Sequence, residues 1–343
     1  MKNLKSQSTA PTAIDERVAA FATARFGPAA AVQRLTGDAS DRSYFRLRTP
    51  SLSSLILMVH AEPFELESLP WFVHGRFLQQ IGAAVPQVVA SYPAEGILVI
   101  QDLGDQMLQT HLPECDASRR RFLYLQAVQI IAFLQSDGTH ALTPDLPAWS
   151  TALDRERLLF ELRFFAEHYI RGLVRSPLSD AQTETLDAWF LKLAVEVSGY
   201  RRVLCHRDYH SRNLMLKGDR LFMVDFQDMR MGPFTYDLAS LVRDAYVDPL
   251  PAGLVDELLD FFREASRAPE PSGVFRVAYA RTCLQRNIKA IGTFASQAML
   301  RNNQVYLPYI PRTIEHVKAS LRLDATDEAA AVLELFSGPL DYR

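Results

Sequence analysis

Apolar residues recur along this chain in three rhythms. Ile14, Val18, Phe21, Ala22 and Phe26 are spaced as on one helix face, with Thr12 placed to cap the helix and Gly27-Pro28 to end it. From 32 to 100 the texture is that of strands: short β-rich runs at 32–35, 44–48, 54–59, 87–92 and 96–100, broken by a helical stretch at about 65–80. This predicts a five-stranded lobe with one inserted helix. Beyond 105 helical spacing dominates, near 118–136, 152–171, 178–197, 251–266, 273–300 and 311–322. One segment interrupts it. Between 203 and 226 the pattern returns to short strands, VLC, then NLML, a KGDR turn and LFMVDF.

The layout is α+β: a small β-rich lobe over 1–103 and a larger, mostly helical lobe over 104–343. Two lobes leave a cleft between them, the usual place for a ligand, and the strand-end LVIQDLGDQ would line it. No internal repeat or low-complexity tract accounts for the length.

Composition narrows the partners. Lys+Arg 37 against Asp+Glu 40 gives a net charge of −3, so no overall positive field exists to hold a nucleic-acid backbone. Cys115, Cys205 and Cys283 are odd in number and form no CxxC pair, which points to a reducing compartment. The start MKNLKSQSTAPTAIDERV lacks the apolar core of a signal peptide, and nowhere do enough apolar residues run together to span a membrane. The expectation is a cytoplasmic protein, monomeric, with neither nucleic acid nor membrane as partner.

The chemistry concentrates in CHRDYHSRNLMLKGDRLFMVDF, from 205 to 226. A two-residue turn at Gly218-Asp219 sets Asn213 opposite Val224, and a three-residue turn sets it opposite Asp225 itself. Either register brings Asn213 and Asp225 within a residue of each other, since facing Cα atoms lie about 4.5–5.5 Å apart. An amide oxygen beside a carboxylate suits Mg²⁺, which prefers oxygen and is completed by waters and substrate phosphates. Asp208, five residues before Asn213, can reach the same spot and is a candidate base. Taken singly, His206 would be a packed core histidine and each aspartate a turn cap; four such residues in this order favour catalysis.

HRDYHSRN followed by VDF resembles the kinase signature HRDxxxxN with its Asp-Phe metal motif. The continuation DFQDMRMGPFTYDLASL has no Ala-Pro-Glu segment and resembles the aminoglycoside/choline kinase-like phosphotransferases. More narrowly, the whole chain resembles the sugar kinases that phosphorylate N-acetylmuramate and N-acetylglucosamine at the anomeric hydroxyl during cell-wall recycling, through LTGDASDRSYFRL, VIQDLGDQML and QRNIKAIGTFA as well. The resemblance implies a bilobal protein-kinase-like fold, a nucleotide-binding first lobe, ATP with Mg²⁺, and an amino-sugar substrate. It makes Asp208 the base, Asn213 and Asp225 the metal ligands, His206 and Asp237 structural, and Gln101, Asp102 and Leu103 the adenine-contacting hinge, through their backbone.

Two departures affect the nucleotide half. The loop Thr36-Gly37-Asp38-Ala39-Ser40-Asp41-Arg42 holds one glycine where the signature has three, though Gly37 and Ser40 can still offer N–H and hydroxyl groups to phosphate. Met58 stands near the place of the phosphate-pairing lysine, and no lysine occurs between Lys5 and Lys192. Arg42 and Arg46 are the nearest replacement cations, with Arg42 ranked first. For the acceptor, Tyr209, His210 and Arg212 flank the base, and a lactyl carboxylate would favour an arginine. Arg286 and Lys289 share a helix face at i,i+3, a spacing that more often marks a solvated basic face. Two other functions fit the same segment: a kinase of another alcohol, of aminoglycoside, choline or homoserine type, or a kinase-like module that binds without turnover.

Overall fold

Thr12 caps the first helix as expected. Its hydroxyl accepts from the Asp15 N–H, the Asp15 carboxylate takes the Thr12 N–H at 2.7 Å, and α1 (Ala13–Phe26) ends at Gly27, whose φ of +91° favours glycine. In this computed structural model, residues 12–35, 42–50, 54–324, 326–340 and 342 are described. Gly37 and Ser40 lie outside them.

The first lobe is an antiparallel sheet of β1 (Ala31–Leu35), β2 (Ser43–Arg48), β3 (Leu55–Val59), β4 (Val88–Tyr92) and β5 (Ile97–Gln101), in the order β1-β2-β3-β5-β4. Alternate residues of β3 face opposite ways. Leu57 and Val59 join Phe45, Leu47, Ile97 and Val99 against Val18 and Phe21 of α1. Ile56 and Met58 turn to the other face, where α2 (Pro70–Gln80) brings Trp71, Val73, Phe77 and Leu78. Both faces are covered, which is why LILMV and ILVI read as unbroken apolar runs. Each such buried side chain is worth about 1.5–3 kcal/mol over leaving it exposed.

The second lobe begins with α3 (Ala117–Phe133), α4 (Arg155–Phe165) and α5 (Asp180–Ser198). The helical run expected at 152–171 changes character at its middle: Ala166–Val174 is wound as a π-helix, as is Leu134–Gly138 after α3. β6 (Arg202–Cys205) leads into the hairpin of β7 (Leu214–Lys217) and β8 (Arg220–Met223), and β9 (Arg230–Pro233) returns to pair with β6. Then follow α6 (Tyr236–Val242), α7 (Ala252–Ala265), the 30-residue α8 (Ser272–Arg301), α9 (Ile310–Arg322) and α10 (Asp327–Ser337). None of the described helices is long and apolar enough to cross a membrane.

Two close approaches fix the frame. Gly75 of α2 packs on Phe226, and a Cβ there would lie 3.2 Å from the Phe226 ring; Trp71 stands on the same ring with centroids 5.2 Å apart. Gly292 of α8 meets α4 so closely that a Cβ would come within 2.7 Å of the Phe165 Cα. The β7–β8 hairpin is also bonded to the first lobe and its linker: Met223 N–H donates to the Ala84 carbonyl (2.8 Å), Leu216 N–H to that of Gln106 (2.7 Å), and the Lys217 ammonium to that of Asp102 (2.8 Å).

Candidate active site

The hairpin takes the two-residue turn. Gly218 has φ +61°, Lys217 pairs with Arg220 and Leu214 with Met223, and the Val224 N–H donates to the Asn213 carbonyl at 3.0 Å. Asn213 and Asp225 therefore meet at its open end. Asn213 Nδ2 donates to the Asp208 carbonyl (2.8 Å) and stands 3.5 Å from Asp225 Oδ2, so one amide links the loop of the candidate base to the second carboxylate. Asp225 holds φ +65°, unusual for a residue with a side chain, and its Oδ1 accepts from Gln227 Nε2 at 2.7 Å.

The loop itself hangs on Asp237, the second residue of α6. Its two carboxylate oxygens take the N–H groups of His206 (2.7 Å) and Arg207 (2.9 Å), and Arg207 sits at φ +81°. Burial pushes the Asp237 carboxyl up to about 6, against the pull of His206 and those two donors. His206 is fully buried and its Nε2 lies 2.9 Å from the Val224 carbonyl, joining the loop to the hairpin. Asp244 takes the Ser211 N–H at 2.8 Å further along.

Asp208 opens onto a recess of about 70 Å³ lined also by His210, Asp244, Tyr246, Asn287, Lys289 and Phe294. That is room for part of a small molecule, not for a nucleotide as well. Arg286 Nη2 (3.3 Å) and Lys289 Nζ (3.0 Å) both donate to Asp208 Oδ1. Burial alone would raise this carboxyl, but Lys289, Arg286 and Arg207 together hold it well below the usual carboxylate range. The expectation of a solvated basic face is corrected here: the middle of α8, from Thr282 to Ser296, is largely buried, and the Arg286 and Lys289 side chains are 9% and 13% exposed.

The other expected acceptor residues separate. Tyr209 is corrected to a core residue, fully buried, with its hydroxyl donating to the Ala127 carbonyl at 2.9 Å. His210 does line the recess, and burial pushes its imidazole down to about 3, so it is neutral. Arg212 lays its guanidinium over the rings of Tyr246 (4.8 Å) and Tyr306 (5.6 Å). Residue spacing gave no sign of Asn287, whose buried Nδ2 has no partner among the described residues and which lines the recess, or of Glu161, buried beside Gln285 Nε2 at 3.1 Å.

On the nucleotide side, Arg46 is corrected from a candidate phosphate cation to a structural one. It is buried and bonded to both oxygens of Asp102, at 2.7 and 3.1 Å, and to Asp105. Asp102 and Leu103 are themselves buried, and the Asp102 carbonyl accepts from the Lys217 ammonium, which ties the linker to the hairpin. Gln101 gives its N–H to the Gln87 carbonyl (2.8 Å). Arg42 reaches across the first sheet, with Nη1 4.0 Å from Met58 Sδ. Burial raises the Tyr44 phenol while the charges of Arg42 and Asp225 act on it in opposite senses, which sets all three in one neighbourhood.

Among the described residues no three His, Cys, Asp or Glu side chains converge as a self-sufficient metal site. The Asn213–Asp225 pair fits a different kind, an oxygen-only donor set that leaves most of the coordination sphere to waters and phosphate.

The sequence matches the phosphotransferase enzyme family over residues 31–271. It is 29% identical to an N-acetylmuramate/N-acetylglucosamine kinase of Pseudomonas putida, over 91% of this chain and 90% of that one. It is 28% identical to one of the same description from Neisseria meningitidis, covering 82% and 83%. Among solved structures, a choline/ethanolamine kinase family protein from Mesorhizobium loti superposes with a TM-score of 0.58 at 17% identity, over 94% of this chain and 98% of the other. That likeness shows the bilobal kinase-like fold.

Proposed function

The chain belongs to the phosphotransferase enzyme family, and from that premise we propose that it is a cytoplasmic kinase transferring the γ-phosphate of ATP to the anomeric (C1) hydroxyl of N-acetylmuramate, N-acetylglucosamine or both. The family supplies the reaction, and the substrate follows the names of relatives 27–29% identical over most of the chain. The observation that carries the reading is the Asn213 amide, bonded to the loop of Asp208 and 3.5 Å from Asp225, which sets a base and a metal pair at one end of one hairpin.

Asn213 and Asp225 would hold Mg²⁺, which when bound neutralises charge on the phosphate oxygens. Arg42, beside Met58, stands in for the lysine that the third strand lacks and faces the phosphates from the first lobe. Asp208 receives the acceptor hydroxyl: Oδ1 is held by Arg286 and Lys289, and Oδ2 orients the O–H and takes its proton as the bond to phosphorus forms. A carboxylate kept ionised by two cations is a weak base. An anomeric hydroxyl, more acidic than an ordinary alcohol, is the acceptor such a base can serve, and most of the acceleration comes from placement and charge.

The test is incubation with ATP, Mg²⁺ and each amino sugar, with the phosphorylated carbon identified by phosphorus and carbon NMR. Phosphate on C1 is the expected result. ADP release only with choline, homoserine or an aminoglycoside, or phosphate on C6, overturns the assignment.

A further inference from the structure

We propose that Lys289 is a catalytic residue in its own right, its ammonium donating to the acceptor oxygen that Asp208 orients and stabilising the negative charge that gathers there as the proton leaves. The inference rests on the phosphotransfer proposed above and adds a group to it.

The two cations on Asp208 Oδ1 are not equivalent. Arg286 Nη2 also donates to Ser240 Oγ at 3.1 Å, so Arg286 is braced against α6 and serves as a fixture. Lys289 has three N–H groups, and Asp208 is the one partner its ammonium meets among the described residues. It lines the recess and is mostly buried. A buried ammonium with two N–H groups unspent calls for oxygen acceptors, because leaving them dry costs free energy. A sugar hydroxyl held by Asp208 Oδ2 brings such an oxygen to the spot.

No other cation of the catalytic loop takes that place. His210 shares the recess but is neutral. Arg207 is directed to Asp228 (3.4 Å) and Glu161 (4.0 Å), and Arg212 is stacked on Tyr246 and Tyr306. The donor therefore comes from α8, whose position against α4 is fixed by the Gly292–Phe165 approach one turn further on.

In the step itself the acceptor oxygen attacks phosphorus with a lone pair while its proton passes to Asp208 Oδ2. The bond from phosphorus to the bridging oxygen breaks, and its electron pair leaves with ADP. Lys289 gives up no proton; its N–H···O bond strengthens as charge develops on the attacking oxygen. Asp208 returns its proton to solvent after the products depart.

Lys289→Met keeps the stem and removes the ammonium. Assayed on an acceptor the parent phosphorylates, it should lose roughly 10²–10³-fold in kcat while KM for ATP and for the sugar each change by less than about threefold. A folded Lys289→Ala variant should regain turnover with added ethylamine or propylamine and not with trimethylamine, a response that a merely structural lysine does not give. A kcat within about threefold of the parent, a loss confined to KM, or no response to primary amines overturns the proposal. If Lys289→Met fails to fold, as judged by circular dichroism, the amine response of Lys289→Ala decides alone. A parent inactive on every amino sugar but active on another alcohol refutes the substrate assignment instead, and the same comparison on that alcohol still tests Lys289.

Discussion

Arg46 of β2 and Asp102 of the linker meet through two hydrogen bonds, 2.7 and 3.1 Å long, with both side chains buried. The pair ties the sheet to the segment that joins the lobes. Removing Asp102 leaves the buried Arg46 with Asp105 as its remaining carboxylate and strands two of its N–H groups, so Asp102→Ala should cost about 1–3 kcal/mol, read as a lowered denaturation midpoint. The Arg46→Met, Asp102→Leu double variant should recover much of that loss. A single variant as stable as the parent would show that the pair carries no such burden.

Asp208→Asn keeps the shape of the base and removes its affinity for a proton. Turnover should fall roughly 10²–10⁴-fold with nucleotide binding retained, measured by ADP release and by calorimetry with a non-hydrolysable nucleotide. Near-parental turnover would remove Asp208 from its role.

Asp225 tests the metal pair. Asparagine tolerates the left-handed backbone at φ +65°, so Asp225→Asn alters charge and spares the loop. The Mg²⁺ concentration for half-maximal activity should rise at least about tenfold, a loss of about 1.4 kcal/mol of binding. Superimposable Mg²⁺ titrations of parent and variant would contradict the assignment.

Much of this site was legible because its parts are local. Asn213, Gly218 and Asp225 lie within one hairpin, and turn geometry alone placed Asn213 within a residue of its partner. The α8 contribution was not, because it depends on which side of a distant helix is covered. Arg286 and Lys289 at i,i+3 look like a solvated face, but the turns just beyond Lys289, Ala290 to Ser296, carry no charge, the mark of a stretch packed on more than one side. Tyr209 misled in the opposite sense: next to the base in sequence, it turns into the core as its neighbour turns out. β9 was missed because it is a four-residue strand with Gly and Pro whose partners, β6 and the segment around Ala152, lie far away in the sequence. α10 was missed although Thr326 before Asp327 and Glu328 is an N-terminal signature that the structure uses as a cap.

Acid should weaken the fold through His316. It is buried, and burial together with Arg243 and Arg312 pushes its imidazole from 6.5 down to about 4. Between those values the unfolded chain binds a proton that the folded chain refuses, so stability falls as pH drops from about 6.5 toward 4. The contribution at pH 5 is about 2 kcal/mol. Denaturant melts of parent and His316→Gln should converge in their pH dependence on the neutral side and diverge below pH 6, with the variant flatter; parallel curves would assign the acid sensitivity elsewhere. Asp237, raised to about 6, acts in the opposite sense in both proteins and cancels in the difference.

The bonds from Leu216, Lys217 and Met223 to Gln106, Asp102 and Ala84 make the β7–β8 hairpin a strap that belongs to both halves of the molecule. While those three bonds hold, the end of the hairpin that carries Asn213 and Asp225 stays in register with the linker, whatever the outer strands of the sheet do.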